Sequence, residues 1–206
     1  MEKFSKKEAI RFGFEIAKKK IKFFIILLLL VYGFSIFFSF LSDLVKKESF
    51  LASFILNMAG NVISMIFGLG LIKISLKLCD SKEPTFSDLI SQYKLFFRYL
   101  FSTILYGLIV FGGLVLLIVP GIILSIRLGF FDYLIVDKNS RIFESLRKSW
   151  EITKGNTLNL FLFYILLGLI NILGFFALIV GLFWSIPTSM IAKAFVYRKL
   201  IGNLKV

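Results

Sequence analysis

Apolar residues dominate six stretches of the chain, 22–41, 51–72, 99–119, 121–136, 158–179 and 182–196, with charged or turn-forming residues between most of them. Several of these runs approach or exceed the roughly 20 residues that a helix needs to cross a hydrocarbon core of about 30 Å. They predict an all-α fold: a polytopic membrane helical bundle with six transmembrane helices, the fourth and sixth short. The first run follows a basic segment, as in a signal peptide, but it is too long and "FSFLSDLVKK" offers no small-residue cleavage site, so it is expected to stay as an anchor.

The segments ahead of the spans have a different period. In "SRIFESLRKSWEITKGN", Ile142, Phe143, Leu146 and Trp150 form a helical stripe with charged residues around it, and Gly155 supplies a stop. In "TFSDLISQYKLFF", Thr85 and Asp88 have capping-box spacing, and Phe86, Leu89, Ile90, Tyr93, Phe96 and Phe97 follow at helical intervals. "SKKEAIRFGFEIAKKK" is a third segment of this kind, with Ser5 and Glu8 as its capping box. All three are predicted as amphipathic helices lying in the membrane interface. Their anchors would be the pairs Ile10 and Phe14, Leu89 and Tyr93, and Leu146 and Trp150, an aliphatic residue four before an aromatic in each.

That shared spacing suggests an internal repeat of an interfacial helix followed by a transmembrane hairpin, with units 1–80, 81–136 and 137–206 inside a single membrane domain. "EAIRFGFEIAK" and "ESLRKSWEITK" match at Glu, Arg, Glu, Ile and Lys. A generic basic helix ahead of a span accounts for the likeness equally well.

Composition agrees with a membrane chain: 206 residues are 58% hydrophobic and 18% charged, with mean hydropathy +0.90. A net charge of +13 would suggest nucleic acid in a soluble protein. Its distribution argues otherwise, because under the six-span reading twenty-two of the basic residues fall on one side, two on the other, and Arg127 within a span. The positive-inside rule then places both termini in the cytoplasm of a multi-pass protein of the cell membrane. Topology and attraction to anionic headgroups on the cytoplasmic side account for the charge, and no nucleic-acid partner is expected. The turns "LLIVPGIIL" and "ALIVGLFWSIP" leave the outer side almost bare. Function is therefore expected within the bundle or on its cytoplasmic face.

The chemistry on offer is sparse. The chain has no histidine and one cysteine, Cys79, which removes the commonest general base and any cysteine metal cluster; no metal or other cofactor is expected. The candidate buried polar cluster is Arg127, Asn57, Asn61, Asp132 and Asn171. Asn57, Asn61, Ser64 and Gly68 share one face of the second span, as Gly168, Asn171 and Gly174 do of the fifth, a pattern that more often glues helices together than binds a ligand. Counting inward from Asp137, Arg127 lies about 15 Å deep on an upright helix, where a charge costs about 2.5 to 3.5 kcal/mol. Asp132 lies about 140° away around the same helix, so Arg127 needs another partner. Asn61 is the first choice; snorkelling toward Asp132 or Glu151 is the alternative.

"VPGIILSIRLGFFDYLIVDKNSRIFESLRKSWEITKGN", continued through "LFLFYILLGLINILG" to "IPTSMIAKAFVYRKL", resembles a poorly characterised prokaryotic family of integral membrane proteins. It is similar to the membrane domain that precedes some glycerophosphodiester phosphodiesterase catalytic domains, over roughly residues 119–200. The elements that carry the resemblance are Pro120 and Gly121, Arg127, Asp137, and Ser149, Trp150, Lys154 and Gly155. It implies a multi-span bundle and no activity, since the soluble phosphodiesterase domain and its histidines are missing.

Three functional classes follow, in this order. The first is a non-catalytic membrane protein that binds lipid or organises a membrane-protein partner or a second copy of itself. The second is a small-solute or lipid transporter with a polar site around Arg127. The last is an intramembrane enzyme, which lacks a nucleophile and base in mutual reach and is not expected.

Overall fold

A computed structural model describes residues 4–177 and 180–202. The described residues are all-α, with no strand: α1 (Lys6–Lys19), α2 (Ile21–Val45), α3 (Phe50–Cys79), α4 (Phe96–Leu116), α5 (Ile118–Leu128), α6 (Phe131–Lys138), α7 (Ile142–Ile152), α8 (Thr157–Phe176) and α9 (Leu182–Leu200). Three helical hairpins, α2–α3, α4–α5 and α8–α9, share one buried core at the end of the bundle where α1, α7 and the ends of α3, α6 and α9 gather. Toward the hairpin tips the side chains are large, apolar and uncovered, as with Ile36, Phe40, Phe50 and Leu116.

Five stretches are long and apolar enough to cross a membrane, Ile21–Val45, Phe50–Cys79, Phe86–Leu116, Ile118–Lys138 and Thr157–Phe176. The predicted sixth is not among them. Its helix, α9, carries Lys193, Arg198 and Lys199 and lies deep in the fold, with Ile191, Ala192, Ala194 and Val196 fully buried. Small residues explain its position. Ala9, Gly13 and Ala17 of α1 are all buried, and a Cβ on Gly13 would meet the Thr188 carbonyl of α9. Of the predicted anchors, Phe14 stays 48% exposed and Ile10 is partly buried against the core.

The predicted fourth span breaks. α5 ends at Leu128, α6 starts at Phe131, and α7 lies against the break. Ser149 Oγ donates to the Arg127 carbonyl at 2.9 Å and accepts from the Phe130 N–H at 3.1 Å, while Thr153 Oγ1 shares its proton between the Ser149 carbonyl of its own helix, at 2.8 Å, and the Arg127 carbonyl, at 3.0 Å. Hydroxyls of α7 thus meet backbone groups that a broken helix leaves open, as any break within an apolar run requires. Gly155, at φ +79, follows α7 as expected of a stop. The α7 stripe divides: Leu146 packs on Leu128, Phe131 and Ile135, whereas Phe143 stays 76% exposed and Trp150 is partly exposed.

Residues 86–95 do not form the predicted amphipathic helix. They make two short 3-10 turns, Phe86–Leu89 and Tyr93–Leu95, although the Thr85 N–H does donate to Asp88 Oδ2 at 2.7 Å. The cause is contact with α3: the Leu89 backbone lies so close to Gly70 that a Cβ there would collide with it, and Lys77 holds the Asp88 carboxylate at 2.7 Å. Leu89 is buried and Tyr93 exposed, so this pair does not share one anchoring face.

At the core end, Arg198 ties three helix ends together. It bonds Asp80, after α3, at 2.7 Å and Asp137 of α6 at 2.8 Å, and Tyr197 Oη donates to the same Asp137 at 3.0 Å.

Candidate functional site

A groove of about 740 Å3 runs between α1 and the α8–α9 hairpin. Ile10 and Phe14 of α1, Leu166 and Ile170 of α8, and Trp184 of α9 give it apolar walls, with Phe14 and Trp184 stacked at 6.4 Å between ring centres. Lys6 and Lys7 line it too, as does Arg11 about one turn further along α1, and among the described residues no carboxylate lines it. Lys6 Nζ donates to Asn159 Oδ1 at 2.8 Å while Asn159 Nδ2 donates to the Phe4 carbonyl at 2.9 Å, so the start of α1 is tethered to the first turn of α8. Arg11 pairs with Glu15 at 2.8 Å on the exposed side of α1, a contact worth little in water. Ser185, also in the lining, is 6% exposed, and its hydroxyl has no hydrogen-bond partner among the described residues. Such a surface suits a hydrocarbon chain with a negative head.

A second, more polar cleft consists of two neighbouring pockets of about 460 and 380 Å3 that share Tyr164 and Lys193 in their walls. Lys193 Nζ donates to Asp132 Oδ2 at a long 3.4 Å and stands 5.1 Å from the centre of the Tyr133 ring. Asn171 Nδ2 donates to Ser189 Oγ at 3.1 Å, and its Oδ1 has no partner among the described residues; nor does Tyr164 Oη.

The candidate polar residues therefore scatter. Asp132 and Asn171 line the same lobe of this cleft. Arg127 does not: its Nη2 donates to the Trp150 carbonyl at 2.9 Å and its guanidinium lies 3.3 Å from the centre of the Trp150 ring. Asn61, its expected partner, is exposed, and neither Asp132 nor Glu151 takes its place. Asn57 joins α3 to α2, with Nδ2 donating to Ser42 Oγ and to the Ser53 carbonyl, next to a Ser42–Ser53 hydroxyl contact of 2.8 Å. That is the glue its spacing suggested. Of the interfacial anchors, Ile10 and Phe14 line the groove, Leu146 is in the core, and Trp150 covers Arg127.

Sequence reasoning missed Lys193 and Tyr164. Lys193 was grouped with the basic C-terminal end; its signal was the position, four residues after Ser189 and inside the sixth apolar run. Tyr164 sits in an otherwise apolar span, an interior phenol with a polar tip that burial obliges to find a partner. Among the described residues, no three His, Cys, Asp or Glu side chains stand close enough to hold a metal ion.

Comparison with known families decides where the chain belongs. A family model described as a domain of unknown function, DUF7847, matches residues 48–199. The chain belongs to this family. The match takes in α3 to α9 and so the whole polar cleft, whereas α1, with the basic wall of the groove, lies ahead of it. No curated protein and no solved structure matches, and no link to the membrane domain that precedes some glycerophosphodiester phosphodiesterases is shown.

Proposed function

We propose that this chain is a non-catalytic membrane protein of the cell membrane that holds an anionic phospholipid of the cytoplasmic leaflet in the groove beneath α1. Both chain ends lie on the cytoplasmic side in this reading, as the distribution of basic residues favours. The observation that carries it is the coincidence of three cations, Lys6, Lys7 and Arg11, with an apolar trough formed by Ile10, Phe14, Leu166, Ile170 and Trp184. Each cation near a negatively charged membrane surface contributes about 1 kcal/mol toward an acidic headgroup, and the trough shelters an acyl chain. Trp184 and Phe14 are half exposed at the mouth, where an aromatic ring can touch both chain and headgroup.

The test is native mass spectrometry of the full chain released from membranes in a mild detergent. The reading expects a bound phospholipid enriched in anionic headgroups, and a loss of about tenfold in its occupancy when Lys6→Gln, Lys7→Gln and Arg11→Gln are combined. Equal occupancy in the triple variant, or no lipid carried by the wild type, would overturn it.

A further inference from the structure

The cleft around Lys193 has unused hydrogen-bonding capacity, donors on Lys193 and Tyr164 and, farther along, the Asn171 Oδ1 acceptor. The Lys193 ammonium has three N–H donors, and a single long contact to Asp132, at 3.4 Å, occupies one of them. Its remaining neighbours include the faces of Tyr133 and Phe130, at 5.1 and 5.8 Å, which attract the charge without accepting a conventional hydrogen bond. Tyr164 lines both pockets as Lys193 does, and its buried Oη has no partner among the described residues. A buried hydroxyl left unpaired costs about 1–3 kcal/mol, so an oxygen that accepts from both groups would be held firmly. Charge-assisted hydrogen bonds favour a negative acceptor over a neutral one.

The shape of the cleft selects the rest of the molecule. One lobe is walled by Ile122, Ile126, Phe161 and Ile165, between α5 and α8, and Ile122 and Ile165 remain 37% and 43% exposed on the apolar flank of the bundle. A ligand can therefore enter sideways from hydrocarbon with its tail in that lobe. The other lobe is lined by Asp132, Asn171 and Ser189, and the acceptor oxygens of Asp132 and Asn171 there keep a negative head on the side of Lys193 and Tyr164.

We infer that this cleft is a binding site for an amphiphile with an anionic oxygen head, a carboxylate or a phosphate ester, seated on Lys193 and Tyr164. The site is separate from the groove under α1, and it lies wholly within the segment matched by the family.

Binding of dodecanoate, dodecyl phosphate, dodecanol and inorganic phosphate to the full chain in maltoside micelles, measured by calorimetric titration, tests the inference. The expected result is that the two anionic amphiphiles bind about tenfold or more tightly than dodecanol and than inorganic phosphate, and the better of the two names the head. Tyr164→Phe removes a hydroxyl that bonds nothing in the protein, so it should leave the melting temperature unchanged while weakening the anionic amphiphiles about fivefold. Lys193→Gln should weaken them about tenfold or more and Lys193→Arg should restore most of the loss. The combined Lys6, Lys7 and Arg11 variant should bind them as the wild type does, which separates this site from the groove. Binding that is equal for dodecanol, equal for inorganic phosphate, unchanged in both Tyr164→Phe and Lys193→Gln, or lost only in the groove variant would overturn the assignment.

Discussion

The Arg127 guanidinium lies flat on Trp150, 3.3 Å from the ring centre, and donates to the carbonyl of that same residue at 2.9 Å. A charge in an apolar span is thus sheltered by a helix outside the spans. The arrangement works in both directions, because α7 also supplies Ser149 and Thr153 to the Arg127 carbonyl. Arg127 is a fastening between the broken span and α7, and no ligand is needed to explain it.

Loosening that fastening should cost stability in graded steps. Trp150→Leu removes the aromatic face and is expected to destabilise the fold by about 1–2 kcal/mol. Thr153→Val removes one of two hydroxyls on the Arg127 carbonyl and should cost about 1 kcal/mol. Equilibrium unfolding in mixed micelles measures both, and protease cleavage around residues 139–141 should rise in step as α7 lifts away.

Arg198 is 7% exposed in its side chain and bonds two aspartates from different helices, so its removal strands acidic groups instead of merely deleting a bond. Arg198→Met is expected to cost about 3–5 kcal/mol, the range for breaking a buried pair from one side. Adding Asp137→Asn to that variant should recover part of the loss, since one stranded charge disappears. The double-mutant cycle from unfolding data gives the coupling directly.

Much of this architecture was legible along the chain because it depends on period and on small residues. Of the six spans that the apolar runs marked, five are long and apolar enough to cross a membrane, the serine–asparagine spacing marked the α2–α3 contact, and Gly155 marked the stop after α7. What was not legible depends on which helix covers which. Lys193, Arg198 and Lys199 read as the flank of a sixth span, yet α9 is the centre of a core that α1, α3 and α8 enclose, so its charges are paired inside the protein. Arg127 read as mid-membrane because its helix was counted as continuous; the break near Gly129 is stabilised by hydroxyls from α7, which no local pattern announces. In the same way, residues 86–95 have the period of a helix, but the close fit of Leu89 on Gly70 wins.

That fit can be tested with a neighbouring control. Gly70→Ala places a Cβ against the Leu89 backbone and should destabilise the fold by about 1–3 kcal/mol, with faster proteolysis between residues 81 and 95. Gly107→Ala, where a Cβ meets nothing within 4 Å, should instead be neutral or stabilising by up to about 1 kcal/mol through helix propensity. Identical effects at the two positions would show that the 3-10 segment does not rest on α3.

The proposed orientation makes its own prediction. In a Cys79→Ala background, Lys47→Cys, in the turn between α2 and α3, should react with an impermeant thiol reagent added to intact cells. Lys148→Cys, on exposed α7, should react only after the membrane is opened. Labelling of both from outside, or the reverse order, would contradict the placement of the basic face toward the cytoplasm.

The most direct test of the lipid-holding account uses Trp184, which lines the groove and is one of only two tryptophans in the chain. In a Trp150→Phe background, the full chain is reconstituted into vesicles containing phosphatidylglycerol or phosphatidylcholine with brominated acyl chains, and the quenching of Trp184 fluorescence is compared at equal mole fraction. The account predicts stronger quenching by the anionic lipid, and loss of that preference when Lys6, Lys7 and Arg11 are all changed to Gln. Equal quenching by the two lipids, or a preference that survives the triple change, would contradict it.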